Sequence, residues 1–257
     1  MPTVSQIADR LAETTRPENT PDWDPVGIQL GDPDAEVRRV AVCHEVTEQV
    51  VAAVESQPVD LLVTYHPLIF RPTTRLLAGR SPGGRAFRLM SAGAALLITH
   101  TDFDAAPNGT ADALAGIFDI KDVRPFGGDP EIGLPPIGRV GRFDRPLGAV
   151  DAVVTDEMGV AGVRITGDRH RLIENLAVVP GSGAELIEQA AAVADALVTG
   201  DISHHRSVAA ADLGLALVDP GHAATERPGM RSLVTLVSHV AGVDLVDLTR
   251  FDPQTWT

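Results

Sequence analysis

Sulfur, lysine and long apolar runs are scarce in this chain. Cys43 is the only cysteine among 257 residues, which excludes an intrachain disulfide framework and a cysteine-rich zinc site. It stands inside the apolar run RRVAVCHEV, where a thiol is expected to be buried packing rather than a nucleophile. Lys121 is the only lysine; arginine supplies the other basic residues, against 35 acidic ones, for a formal charge of -14. A surface of that sign repels phosphate, so nucleic-acid binding is not expected. The longest apolar runs have strand length, short of the ~20 residues a membrane-spanning helix needs. The opening MPTVSQIADRLAE is polar and helical in pattern, unlike a secretory signal, and the expectation is a cytoplasmic protein that avoids membranes. An acidic, lysine-poor composition suits a high-salt, halophilic cytoplasm, where screening tolerates net charge; a GC-rich genome choosing arginine codons would look the same.

What is present has the rhythm of an α/β protein. VSQIADRLAETT reads as an amphipathic helix with Val4, Ile7, Ala8 and Leu11 on one face. RRVAVCHEV, VDLLVTYH and AALLITH read as strands, continuously apolar as in a sheet covered on both sides. TEQVVAAVES (capped by Thr47), GGRAFRLMSAG and GTADALAGIF read as the helices between and after them. Residues 121 to 170 change character: PIGRVGRF, LGAVDAVVT and AGVRITG read as β-hairpin or crossover material. The strand, helix, strand, helix alternation then returns through NLAVVPGSGAELIEQAAAVA and DALVTGDISHHRSVAAADLGLALVDPGHAATE. VDLLVT and ADALVT echo one another, as do the segments after them, which points to a degenerate internal duplication. The expected organisation is one domain of two related α/β lobes, approximately 1–125 and 126–257.

Two distant segments repeat one donor pattern. In ITHTDFDAAPNG an apolar run ends at His100 and Asp104 comes four residues later; in LALVDPGHAATE the same holds for His222 and Glu226. A third run, DLLVTYHP, ends in Tyr65 and His66. Imidazole and carboxylate at strand ends are the usual ligands of divalent Zn, Fe, Mn or Ni, and ligands gather in the crevice at the carboxyl ends of parallel strands. Each residue also has an ordinary structural role open to it. His66 could be a satisfied core histidine, Asp104 a turn or cap, with Asp102 as a competing acid, and His222 with Glu226 a capping pair. His204 and His205 are adjacent, so both cannot easily bind one ion, and a supporting hydrogen bond is the expected role for one. PGSGAEL could receive a phosphate on exposed N–H groups. Arg71 and Arg75 could pair with substrate phosphates.

Taken in order, DWDPVGIQLG, LLVTYHPLIFRP, THTDFDAAPNGTADALA, VTGDISHH and DPGHAATE resemble the Nif-three-like dinuclear metal centre family, whose members are often named GTP cyclohydrolase I type 2 homologues. The resemblance runs from about Val4 to Leu248 and is to the short form, without an inserted domain. It implies two related lobes assembled as a toroidal homo-hexamer, a trimer of dimers, with metal pairs facing the inner cavity. It implies metal ligation by His66, Asp104, His222 and Glu226. Tyr65 stands where the family has the first histidine of a pair, and a phenol must lose a proton of pKa near ~10 to bind as an anion. Glu45 stands where the family usually has Asp. His100 matches a position beside the site, and His100 or Tyr65 could shuttle a proton.

The activity so implied is metal-assisted hydrolysis with one or two divalent ions per subunit, acting on GTP or another nucleotide or phosphorylated small molecule. A non-enzymatic metal-binding scaffold, or a protein for metal storage or delivery, is the second expectation. A ring that threads nucleic acid fits a toroid but conflicts with the charge.

Overall fold

The opening helix forms because Thr3 and Gln6 cap it reciprocally, meeting donors the first turn leaves open, while Val4, Ile7 and Leu11 make a buried stripe. The computed structural model describes residues 1–160 and 162–251. From this helix, α1 (Val4–Thr15), the chain runs through β1 (Gly27–Leu30), β2 (Arg39–Cys43), α2 (Glu48–Ser56), β3 (Leu61–Thr64), α3 (Pro82–Ser91), β4 (Ala95–Ile98) and the short α4 (Thr101–Ala105). It continues through α5 (Thr110–Ile117), β5 (Lys121–Phe126), β6 (Gly138–Pro146), α6 (Leu147–Met158), β7 (Arg164–Thr166) and β8 (Leu172–Ser182). Then come α7 (Ile187–Ala191), β9 (Ala196–Gly200), α8 (His204–Asp212), β10 (Ala216–Asp219), α9 (His222–Ala241) and β11 (Asp244–Asp247).

These elements group into two compact units, residues 1–106 with 230–251 and residues 107–229. The sequence places the boundary near residue 125. In the structure Leu114, Ala115 and Phe118 already pack in the core of the second unit. At the other end, Met230, Leu233 and Val237 join Val4, Ile7 and Leu11 in the first, and β11 pairs in parallel with β2.

The first unit holds a sheet of order β1-β4-β3-β2-β11, in which β2, β3, β4 and β11 run parallel and β1 is antiparallel. Alternate residues face opposite sides. Val40, Val42, Leu61, Val63 and Tyr65 belong to the core beneath α1 and α9, whereas Ala41, Cys43, Leu62 and Ile98 belong to the core beneath α2 and α3. Both faces are covered, which is why these strands read as unbroken apolar runs. The register sets Cys43 beside Thr64 and Thr64 beside Ile98, so the three strands end level.

The second unit holds a sheet of order β5-β6-β8-β9-β10-β7. Its centre, β8, β9 and β10, is again parallel, with Val178, Val198 and Val218 side by side. The hairpin expected between 121 and 170 is there, as antiparallel β5 and β6. LGAVDAVVT, read with it as β material, is instead the first nine residues of α6. Its valines favour a strand locally, but Leu147, Val150 and Val154 recur at helical spacing and all three are buried. Tertiary packing outweighs that weak preference. Among the described residues no helix is long and apolar enough to cross a membrane.

Candidate metal centre

The level strand ends of the first unit explain why its donors meet. The backbone ladder continues one step past them: Tyr65 N–H donates to Cys43 O and His66 N–H to His44 O. His44, Tyr65 and His66 therefore leave the sheet together, and His100 leaves β4 beside them. The His44 and His66 rings stack with centroids 4.9 Å apart. Tyr65 lies 4.9 Å from His66 and 5.6 Å from His100, and His66 lies 5.7 Å from His100.

Each of two imidazoles here is held from behind by a carboxylate. His66 Nδ1 lies 3.0 Å from Glu45 Oε2, and His100 Nδ1 lies 2.9 Å from Asp24 Oδ1. Such a contact fixes ring orientation and leaves Nε2 as the outward donor. Burial alone would raise the Glu45 carboxyl above its ordinary range, but the contact with His66 outweighs it and the pKa is lowered. Asp24 behaves alike: burial raises it, while His100 and Thr101 bring it below the usual value. Asp24 also accepts from the Thr101 hydroxyl at 2.5 Å, locking it under the start of α4.

Asp104 sits on α4, not in an irregular loop, and is buried. The Tyr65 hydroxyl donates to its Oδ1 at 2.6 Å. The competing acid Asp102 is taken by structure: it accepts the His100 backbone N–H at 2.7 Å, and burial raises its pKa. Cys43 is buried on the opposite core face, and burial pushes its thiol up to about 12, which leaves it the packing role expected of it.

The second unit builds its donors on the same device. α9 starts at His222, directly after Gly221, so His222 and Glu226 share one helical face, and Nε2 lies 2.9 Å from Glu226 Oε1. His222 Nδ1 lies 2.7 Å from Asp201 Oδ2. Burial pulls the His222 pKa down, but the bonds and charges of Glu226 and Asp201 prevail and raise it to about 9. Glu226 is 2% exposed, so this carboxylate is screened little and holds its proton-bearing neighbour firmly. Two glycines make the room. A Cβ on Gly181 would lie 2.6 Å from Glu226 Oε1, and one on Gly200 would lie 2.5 Å from the His222 backbone nitrogen.

The structure thus gathers Tyr65, His66, His100 and Asp104 in the first unit and His222 with Glu226 in the second. It also supplies groups that the sequence motifs do not single out: His44, Asp24 and Asp201. All three adjoin or face a strand end, which is the signal that finds them once the ends are known. The supporting bond expected from His204 or His205 comes instead from Asp201, in the same GDISHH segment. Both histidines are exposed on α8, rings 5.6 Å apart. In PGSGAEL, read as a possible phosphate turn, two N–H groups are already taken: Gly181 N–H donates to Thr225 Oγ1 and Gly183 N–H to Thr199 Oγ1, each at 2.8 Å. Arg71 and Arg75 are exposed.

An α/β protein of two units, each presenting imidazole backed by carboxylate at the carboxyl ends of three parallel strands, is the class that fold and site define. The family model for Duf34/NIF3 (NGG1p interacting factor 3) matches residues 2–250, and this chain belongs to that family. It is similar to a Streptomyces coelicolor protein called "GTP cyclohydrolase 1 type 2 homolog", 37% identical over 89% of this chain and 83% of that protein. A Nostoc protein of the same description is 35% identical over 77% of each chain. Among solved structures, a Bacillus cereus protein related to NIF3 superposes with a TM-score of 0.88 at 19% identity, covering 100% of this chain and 99% of that one. A hypothetical Staphylococcus aureus protein gives 0.87 at 22%, covering 99% of both. The family and the two-lobed α/β fold expected from the motifs are therefore borne out.

Proposed function

We propose that this protein is a metal-dependent hydrolase whose divalent ions are held by His66 and Asp104 of the first unit and by His222 and Glu226 of the second. One observation carries the reading. His66, His100 and His222 each have Nδ1 against a carboxylate, at 3.0, 2.9 and 2.7 Å, the arrangement that orients imidazole for ligation through the other nitrogen. The donor set fits the group: neutral nitrogen with buried carboxylate suits Zn, Fe, Mn or Ni, and Gly181 keeps side-chain volume away from Glu226.

A bound divalent ion would supply Lewis-acid polarisation and a water acidic enough to attack near neutral pH. The chain's own residues do the rest. Asp104 and Glu226 offset ionic charge. His100, with Nδ1 held by Asp24, exchanges a proton at Nε2. Arg71 and Arg75 offer guanidinium forks for phosphate. The description shared by the relatives supports a guanine nucleotide as the first substrate to assay.

A homo-hexamer is part of the same reading. The exposed apolar side chains of Phe70, Leu77, Phe87 and Met90, all in the first unit, suit faces that meet other copies. Sedimentation velocity tests it, and a monomer at micromolar concentration would remove it.

Elemental mass spectrometry on protein purified without chelators or an affinity tag tests the metal. One or two ions per subunit, with GTP turnover lost in Asp104→Ala, is the expected result. Bound metal without turnover over a broad nucleotide and phosphoester panel would favour a non-enzymatic scaffold or metal store. Absence of metal after reconstitution with zinc, iron, manganese and nickel would overturn both.

A further inference from the structure

We infer that His44 is a metal ligand of the first unit beside His66, and that Tyr65 is a positioning residue whose hydroxyl holds Asp104 and does not bind the ion. The inference rests on the metal reading above and deepens it by naming a further donor.

His44 is the first residue after β2, at the level where His66 and His100 leave their strands. It is 3% exposed, and its ring lies parallel to that of His66 within 25°. A ring nitrogen of His44 and one of His66 lie no more than 4.8 Å apart. Metal–nitrogen bonds of about 2.0–2.1 Å set two nitrogens on one ion roughly 3.3 Å apart in a tetrahedron. Side-chain rotation that brings the nitrogens at most about 1.5 Å closer closes that difference. His66 is already turned by Glu45 so that Nε2 is its outward donor, and His44 stacks on that same ring. The neighbouring Cys43 cannot take the role, since its side chain packs in the opposite core face.

Tyr65 is placed for a different task. Its ring is 1% exposed and packs with Phe103, Val42 and Val63, so it cannot swing. Its hydroxyl proton is given to Asp104 Oδ1 at 2.6 Å. Binding an ion as phenolate would remove that proton and the hydrogen bond together. With the proton in place, the bond fixes one Asp104 oxygen. The two imidazole donors select borderline metals such as Zn, Fe(II), Co and Ni over Mg and Ca.

Zinc titration of the full-length, metal-free protein against a competing chromophoric chelator is the test. It is run on wild type, His44→Gln, His66→Gln and Tyr65→Phe, with melting curves of each metal-free form to confirm folding. His44→Gln and His66→Gln are expected to weaken zinc by more than roughly 100-fold, beyond the 10–100-fold typical of losing an outer hydrogen bond. Tyr65→Phe is expected to stay within that 10–100-fold range. Zinc K-edge absorption should lose imidazole scattering in His44→Gln and keep it in Tyr65→Phe. A further readout needs no variant. Tyr65 is the only tyrosine, so ultraviolet difference absorption reports its ionisation alone, and zinc should produce no tyrosinate band. A tyrosinate band in wild type, or His44→Gln binding zinc like wild type while His66→Gln fails, overturns the inference and leaves the metal reading standing. Wild type that takes up no zinc overturns the metal reading, and the inference with it.

Discussion

In the first unit β2, β3 and β4 end level at Cys43, Thr64 and Ile98, and the residues just beyond bring four rings together, His44, Tyr65, His66 and His100. In the second, β8, β9 and β10 end at Ser182, Gly200 and Asp219, and beyond them a single imidazole stands between Asp201 and Glu226, with Gly181 and Gly200 close by. The same backbone device is therefore furnished in two ways. The first set is rich in nitrogen, with Asp104 beside Tyr65 and the carboxylates Glu45 and Asp24 standing behind the rings. The second is rich in charge, and without metal it is an ion pair whose proton a metal must displace. Dependence on pH should accordingly reside in the second set and dependence on outer hydrogen bonds in the first.

The harshest way to break the comparison is Gly181→Ala. Gly181 has φ 65°, where a Cβ costs about 1–2 kcal/mol, and that Cβ would meet Glu226 Oε1 at 2.6 Å. With overpacking added, a loss of about 2–4 kcal/mol in denaturant unfolding is expected, together with loss of metal from the second set. Unchanged stability would mean that Glu226 is not confined as described.

Next come the outer carboxylates, compared with one another. Glu45→Gln and Asp201→Asn each disturb the orientation of a proposed ligand ring, His66 and His222, which typically costs 10–100-fold in metal affinity. The Glu45 side chain is 40% exposed and that of Asp201 57%, so water replaces the second more readily than the first. Glu45→Gln should therefore cost more than Asp201→Asn in zinc competition. Equal effects would argue that exposure does not decide the matter.

Most of the frame is legible in the sequence. Continuous apolar strands announce a sheet covered on both faces, and the echo of VDLLVT in ADALVT corresponds to β3 and β9, each the middle of three parallel strands. His222 and Glu226 are readable because an i, i+4 pair needs only a helix start, which Gly221 supplies. His44 is not, because RRVAVCHEV reads as one strand. Only the register shows that the strand stops at Cys43 and that His44 is loop at a carboxyl end. Asp24 and Asp201 are hidden for a related reason: what matters about them is which ring they face across tens of residues. The difference at α6 has the opposite origin, a local β preference overruled by burial of Leu147, Val150 and Val154.

A milder perturbation, pH, sharpens the contrast. In the metal-free protein His222 ionises near 9 against an ordinary 6.5, because Glu226 and Asp201 outweigh the effect of burial. A raised value in the folded state means that this stabilisation is complete below about 6.5 and is lost as pH rises through about 9. His222→Gln should flatten the dependence of melting temperature on pH within that window. Zinc entering the second set of wild type at pH 7 should release a proton, detectable in weakly buffered solution, and His222→Gln should abolish that release. A curve with the same slope in variant and wild type would assign the pH dependence elsewhere.

The smallest expected effect is a silence, and it concerns the strand that carries His44. Cys43 and His44 are neighbours at the end of β2, yet their side chains belong to opposite faces, so the chain offers nitrogen there and withholds sulfur. Burial pushes the thiol up to about 12, which leaves almost no thiolate at pH 8, and no exposed surface lets a reagent in. Native protein should therefore fail to react with a thiol reagent over hours at pH 8 and react with one equivalent once unfolded. Zinc should change neither result, because the proposed site lies on the other side of the strand. Protection of a reactive native thiol by zinc would place sulfur among the donors and would make the first set more like a thiolate site than the imidazole site that the ring stacking of His44 and His66 describes.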